Sequence, residues 1–468
     1  MTTQNFIACD RDQELLLPPS LKDWLPDDHL AWFVIESVEG LDLSEFYASY
    51  RSDGWGGAAH DPKMMVALYI YAYSIGVRSA RAIERRCQED VAFRVICAGQ
   101  TPDHATIARF RARHEQAIGE LFAGVLELCA KSGLVNVGVV SVDGTKIAAA
   151  ATHHSNRTYQ QIAEEILKEA AEIDTREDEL YGEARGDELP EGFRTSAERR
   201  QRLREAKQAL EEERKANAKP VPRDRQKRLG ECKKRLEEDL ELERRVAKEH
   251  EAWRERGIAK DGSRRMTGHN MKPKPLPAEP AGKLNVTDPD SRNLKTTRGF
   301  VQGYNAQAVV TSDQVIIAAD ISNESLDTAN LEPMVEAACA ALEAAGVTDT
   351  PGVVLADAGY WKNDAIETIV NRGIQTLVAP DADSRKEPRP GRRGGLYDFV
   401  RKVLSTDWGK QLYLRRQGSV ESVFGQIKAN RGVRRFQRRG RLAVLSEWRL
   451  LTATHNLRKL HQHKLATA

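Results

Sequence analysis

Long apolar runs are missing from this 468-residue chain. No stretch approaches the roughly 20 apolar residues a membrane-spanning helix needs. The opening residues, "MTTQNFIACDRDQELLLPP", lack a basic segment followed by an apolar one, so no secretory signal is expected. Cysteine is sparse. The six present (Cys9, Cys87, Cys97, Cys129, Cys232 and Cys339) never take CxxC spacing. That argues against a disulfide framework or a zinc site and fits a reducing cytoplasm. Hydrophobic residues make up 40% and charged residues 30%. The chain therefore reads as a polar protein long enough for two to four cored domains.

The net charge of +2 conceals an asymmetry. From Arg385 to the carboxyl end, 21 Lys and Arg stand against five Asp and Glu, so the rest of the chain is net acidic. A basic block of that size points to a polyanion, most naturally nucleic acid. Val423, Phe424, Ile427, Phe436, Leu445, Trp448, Leu450 and Leu451 run through it, which argues for a packed region over a solvated tail.

Residues 1–130 read as an all-α domain. "DPKMMVALYIYAYSIG" is apolar nearly all round and predicts a buried helix after Pro62. "SARAIERRCQEDVAFRVICAG" and "TPDHATIARFRARHEQAIGELFAGVLELCAKSG" follow, the latter opening at Asp103 or Thr106 and carrying Arg109, Arg111 and Arg113. Two helices joined by a short turn, the second rich in arginine, resemble a helix-turn-helix DNA reader. An ordinary bundle with surface arginines fits the same pattern.

At residues 135–154 the pattern changes to a strand, "VNVGVVSVDGTKIAAA", holding Asp143 followed by Gly144. Residues 155–285 then read as a charged helical insertion. It would be a helical hairpin with a thin seam of Leu203, Leu210, Leu229, Leu236 and Leu240, closed by the proline-rich "NMKPKPLPAEPAG". So thin a seam predicts docking on another surface, a second protomer or DNA. Strand patterning returns in residues 286–468. "FVQGYNAQAVV" and "QVIIAADIS" form a hairpin, and a helix over "DTANLEPMVEAACAALEAAG" follows. "GVVLADAGYW" is then a strand ending on Asp357, and "GSVESVFGQIKANRGVRRF" is a later helix with Glu421 in its first turns. A three-stranded antiparallel start followed by β-α-β units predicts a mixed five-stranded sheet with flanking helices.

Asp143 and Asp357 would end neighbouring strands, and Glu421 could bring a third carboxylate to them. Such a set suits hard, oxygen-seeking cations, a pair of Mg²⁺ or Mn²⁺ ions, and the phosphoryl-transfer chemistry they support. Asp320, which also ends an apolar strand, is the rival second acid. Tyr360 and Trp361 read as packing residues before base-stacking ones, and His455 and Asn456 as structural.

The stretches "SVDGTKI", "DPDSR…GFVQGYNAQAVV", "VVLADAGYW" and "VESVFGQIKANRGVRRF", together with the helical "HDPKMMVALYIYAYSIGVRSARAIE…PDHATIARFRARH", resemble a DDE transposase of bacterial insertion sequences. That resemblance spans nearly the whole chain. It implies an α/β ribonuclease H-like catalytic core preceded by the helical domain and interrupted by the insertion. Asp143, Asp357 and Glu421 would be the DDE triad and metal ligands. Lys428, seven residues after Glu421, would contact DNA near the cut. The resemblance further implies terminal inverted repeats and target DNA as partners, action as a homodimer on DNA, and a cytoplasmic location.

Relatives place a tyrosine seven and an arginine four residues before the glutamate. Here Leu414 and Gln417 hold those positions, with Tyr413, Arg415 and Arg416 alongside. The basic role is assigned to Arg416. Arg431, Arg434, Arg435, Arg109 and Arg111 complete the expected DNA contacts. A non-catalytic DNA-binding derivative, or a ribonuclease H-like nuclease without strand transfer, would carry the same pattern.

Overall fold

The computed structural model describes residues 20–50, 59–174, 220–256, 280, 282–296, 299–381 and 394–467. Two compact units emerge: Met1–His114 with Leu457–Ala468, and Glu115–Asn456. The helix Glu115–Lys131, which the sequence groups with the amino-terminal domain, falls in the second unit. There its Gly119 lies against Ser446, and its Cys129 thiol contacts the Asn456 carbonyl.

The first unit is helical. Pro62–Ser74 is buried on almost every face, as its unbroken apolar sequence requires. Pro62 starts it and the Asp61 carboxylate caps it, accepting from Lys63 N at 2.9 Å. Around it lie Leu30–Glu39, Ala80–Glu89, Val91–Ile96 and His104–Arg113. Asp103 opens the last of these, its carboxylate accepting from Thr106 N at 2.9 Å.

The second unit is built on a six-stranded mixed sheet. Its strands are β1 (Val139–Ala148), β4 (Arg292–Thr296), β5 (Gly299–Thr311), β6 (Ile316–Ser322), β7 (Val353–Ala356) and β8 (Gln375–Val378), while β2 (Asn156–Thr158) and β3 (Lys283–Asn285) form a separate pair. Five of the six run in the spatial order β6-β5-β1-β7-β8. The first two pairings are antiparallel; β1-β7 and β7-β8 are parallel. The sixth strand, β4, pairs with the first part of β5 and extends the expected five. Helices Leu331–Ala344 and Asn363–Asn371 precede β7 and β8, as parallel connections demand. This mixed arrangement is compatible with a ribonuclease H-like core.

The final helix, Arg441–Thr467, buries Trp448 completely, and its indole N–H donates to the Gln307 carbonyl of β5 at 2.9 Å. Asn456 brackets Ile316: its Oδ1 accepts from the Ile316 N–H and its Nδ2 donates to the Ile316 carbonyl. His455 meets the Gln314 carbonyl. Both residues hold structure, as read from sequence.

The insertion leaves and re-enters the sheet region through the β2-β3 pair, so its two ends are adjacent. Leu229, Cys232 and Leu236 of helix Arg225–Arg256 pack with Ile162 of helix Tyr159–Asp174 and with Leu284 and Val286 beside β3. This corrects one expectation. The described half of the seam is covered by its own chain and requires no outside surface. Leu203, Leu210 and most of the proline-rich linker lie outside the described residues.

The motif "DPDSR" ties this insertion to the basic carboxy-terminal segment. Asp290 pairs with Arg235 of the insertion helix at 2.6 Å and accepts from Arg441 N at 2.8 Å. Burial raises its pKa, but Arg235 outweighs burial and holds the carboxyl below its usual value. Asp288 accepts from the Tyr304 hydroxyl at 2.8 Å and from Gly440 N at 3.1 Å. Burial pushes Asp288 up to about 6. Two adjacent acids thus fasten β5, the insertion and the start of the last helix at one point.

If the insertion owes its order to this small core, Leu236→Ala should cost about 2–4 kcal/mol locally. Hydrogen exchange read by mass spectrometry should show residues 225–248 losing protection while β1, β5 and β7 keep theirs. Equal loss across all of them would mean the insertion core is part of the main one.

Candidate active site

Asp143 stands in the middle of β1, opposite Ala308 of β5, and not at the strand end expected from sequence, because β5 continues to pair with β1 as far as Ala148. On the other side of β1, the parallel strand β7 pairs Ala356 with Val142 and then ends. The next residue of each strand is an aspartate, so register alone brings Asp143 and Asp357 side by side. Asp357 turns the chain sharply: its carboxylate accepts from Gly359 N at 2.8 Å and caps the turn Ala358–Tyr360.

The third acid arrives on a helix of unusual geometry. Asp407–Arg416 is α-helical, Gln417–Glu421 winds as a π-helix, Ser422–Gly425 returns to α, and Gln426–Asn430 is π again. Residues one π turn apart in space are five apart in sequence. Arg416 therefore faces Glu421 as a residue four before it would in a regular helix. Its Nη2 donates to Glu421 Oε1 at 2.8 Å and its Nη1 to Asp143 Oδ2 at 3.0 Å. The Arg416 guanidinium also lies over the Tyr413 ring, 5.7 Å from its centroid. The one-residue displacement of tyrosine and arginine in the sequence is thus absorbed by the extra residue of the π turn. Ser419 seats the helix on the sheet, its hydroxyl donating to Ser141 Oγ of β1 at 2.8 Å.

Burial dominates the electrostatics. It raises Asp143 to about 7, against the opposing pull of Arg416 and with a further push from Asp357. Asp357 is raised by burial too, with Asp327 adding to the effect and the Gly359 N–H and Arg416 resisting it. Glu421 is more open, its side chain 45% exposed. Lys428 is half-buried; burial lowers its pKa while Asp143 opposes the drop, and its Nζ donates to the Lys146 carbonyl of β1 at 3.1 Å.

The other expected site residues divide. Arg434 is exposed, and Arg435 is exposed while its Nε donates to the Ala149 carbonyl at the end of β1. Arg431 is a correction. It is buried, donating to Thr454 Oγ1 and the Leu451 carbonyl, so it pins the basic loop to the last helix. In the first unit Arg109 is exposed, whereas Arg111 donates to the Tyr73 hydroxyl and the Arg78 carbonyl and braces the helical bundle. Tyr360 is fully buried and Trp361 packs edge-on against Tyr397, as packing residues do. Asp320 accepts from the N–H of Ile321.

Two family models match the chain. A transposase domain (DUF772) covers residues 19–113, and a transposase DDE domain covers residues 395–461. These matches support a DDE transposase of an insertion sequence. The second match takes in Arg416, Glu421, Lys428 and the basic segment; the first takes in Arg109 and Arg111. No curated protein and no solved structure matches the chain.

DDE transposases typically use divalent metal, and the residues gathered here can be weighed against that chemistry. Among the described residues, no three His, Cys, Asp or Glu side chains gather closely enough to form a ready cage. The donor chemistry fits nonetheless. The lining offers carboxylate oxygens, which hard cations prefer, and Arg416 already supplies positive charge between Asp143 and Glu421. Its Nε is buried and makes no hydrogen bond among the described residues, so the guanidinium is held by its two carboxylate contacts and the Tyr413 ring.

Sequence reasoning missed Asp327, Asn305 and Gln307. The sequence places Asp327 at the start of a helix, but that helix begins at Leu331. Asn305 and Gln307 are buried two residues apart on β5, hence on one face. Buried amides need partners, and that requirement was the available signal.

The raised Asp143 has a thermodynamic signature. Its folded value, about 7, exceeds the ordinary aspartate value of 3.8. The folded state therefore holds a proton that the unfolded chain has lost, and this stabilisation fades as pH rises through 7. In metal-free buffer, wild type should lose stability relative to Asp143→Asn between pH 4 and 7, with a constant difference above. A pH-independent difference in melting temperature would contradict the burial of this acid.

Proposed function

We propose that this transposase binds the ends of its element and carries out metal-dependent phosphodiester hydrolysis followed by strand transfer. What supports the reading is that Arg416 pairs with both Asp143 and Glu421 while strand register sets Asp357 beside Asp143, three acids spread over 278 residues of sequence. Mg²⁺ or Mn²⁺ ions, held by the three carboxylates, would stabilise the charge that develops on the phosphate and favour ionisation of the attacking oxygen. Asp143 must give up its proton for this role, and its burial makes added positive charge favourable there.

The rest of the chemistry falls to cationic side chains that position DNA. Lys428, anchored on the β1 backbone through the Lys146 carbonyl, would hold a phosphate near the cut. Arg434 and Arg435, exposed beside the far end of β1, would carry the flanking duplex, and Arg109 would contribute from the helical unit. In the first reaction water displaces a DNA 3′-oxygen from phosphorus at the element end, freeing a 3′-hydroxyl. In the second that hydroxyl attacks a target phosphodiester and releases a target 3′-hydroxyl. Both are phosphoryl transfers and need no redox partner. A homodimer holding two ends would carry out both within a cytoplasm.

Excision of a marker flanked by the element's own ends should be lost in Asp357→Ala, while end binding in a gel-shift assay persists. Wild-type excision by that variant would defeat the site assignment. Exchanging Arg434 and Arg435 together for glutamine should weaken binding to any duplex and reduce the log–log salt slope by up to about 2. An unchanged slope would place both side chains away from DNA.

A further inference from the structure

Asp327 belongs to none of the roles above, and neither matched family model reaches it. It sits in the turn after β6, its carbonyl accepting from Asn330 N at 2.9 Å. Two amides from β5 grip a single oxygen of its carboxylate. Asn305 Nδ2 donates to Oδ1 at 2.7 Å and Gln307 Nε2 at 2.8 Å. Gln307 is itself fixed by the buried Tyr360 hydroxyl, which donates to its Oε1. With both donors spent on Oδ1, Oδ2 carries no hydrogen bond among the described residues. Three buried side chains thus serve to aim one half-buried carboxylate.

Two glycines show where it is aimed. A β-carbon on Gly359 would stand 3.0 Å from Asp357 Oδ1 and 3.6 Å from Asp327 Oδ2. The missing side chain of Gly359 therefore leaves open the gap between two carboxylates. A β-carbon on Gly144, the residue after Asp143, would stand 2.8 Å from Asp327 Oδ1, 2.8 Å from Asn305 Oδ1 and 2.2 Å from Gln307 Nε2. Asn305 is fully buried, and its Oδ1 is left without a partner at this notch among the described residues. The glycine of "VDG" is thus required because Asp327 and its amides fill the space beside it, while that of "DAG" is crowded by Asp357 itself and borders Asp327. A gap that a methyl group would fill, flanked by two carboxylate oxygens, with an orphaned amide oxygen in the adjoining notch, suits a small hard cation. Arg416 contacts Asp143 and Glu421 directly and acts on Asp357 at longer range.

We propose that Asp327 is a fourth carboxylate of the centre, sharing a divalent cation with Asp357 across the Gly359 gap, with Asn305 and Gln307 as its positioning residues. This rests on the cation-dependent reading of Asp143, Asp357 and Glu421 and adds a ligand to it. Asp327→Asn keeps an oxygen able to accept from both amides but removes the charge. Gly359→Ala fills the gap, its methyl 3.0 Å from Asp357 Oδ1 and 3.6 Å from Asp327 Oδ2, without replacing any acid.

The test is Mn²⁺ binding to the full chain without DNA, followed by titration calorimetry and by the electron paramagnetic resonance signal of free Mn²⁺. Asp327→Asn and Gly359→Ala should each weaken binding by about tenfold or more, with melting temperature close to wild type. Should Asp327→Asn fail to fold, Gly359→Ala alone decides. Wild-type affinity in both variants, alongside loss in Asp357→Ala, would make Asp327 structural and leave the triad intact. Wild-type affinity in Asp357→Ala as well would overturn the cation site altogether.

Discussion

Burying Asp143 in the middle of a sheet strand is costly, and the Arg416 guanidinium is what answers that cost. A buried carboxylate without a partner would be destabilising by several kcal/mol. Arg416 reaches it at 3.0 Å and reaches Glu421 at 2.8 Å, so one cation serves two acids. The compensation is incomplete, because burial still raises Asp143 to about 7. A centre left short of positive charge in this way is predisposed to take up more of it. The π turns are part of the same arrangement. π-helix is poor helical geometry that persists mostly where a function requires it, and here it rotates Glu421 onto the arginine.

The long-range connections keep that pairing in register. Asp143 and Arg416 are separated by 273 residues, among them the whole insertion. The β2-β3 pair closes the insertion at its base, so the sheet need not open to accommodate it. Asp290 holds the insertion helix through Arg235 and the last helix through Arg441 N, and Asp288 holds β5 through Tyr304. Arg431, buried under the basic loop, fixes the segment that displays Arg434 and Arg435. Basic residues of this region therefore divide into those that fold it and those left facing outward.

The strands that carry the first two acids were legible because β-branched runs are local signals, although only Asp357 ends its strand and Asp143 lies within β1. The helix bearing Glu421 was legible for the same reason. Its winding was not: an extra residue per turn leaves no mark on apolar spacing, and only the displaced tyrosine and arginine hinted at it. Asp327 escaped because an acid before a helix reads as a cap, and its role depends on amides contributed by another strand. The seam of the insertion was seen correctly as Leu229 and Leu236, but its partner was misjudged. Ile162, Leu284 and Val286 come from both ends of the insertion, and no periodicity within one helix reveals them. Arg111 and Arg431 show the same limit, since charge in a sequence does not say which way a side chain faces.

The central claim is that Arg416 and Asp143 act as one unit at this site. A double-mutant cycle on unfolding free energy, with Arg416→Gln, Asp143→Asn and the pair in metal-free buffer at pH 8, measures it directly. The account predicts a coupling of about 1 kcal/mol or more, as contacting charges in one network give. A coupling below about 0.3 kcal/mol, the level expected of independent sites, would contradict it.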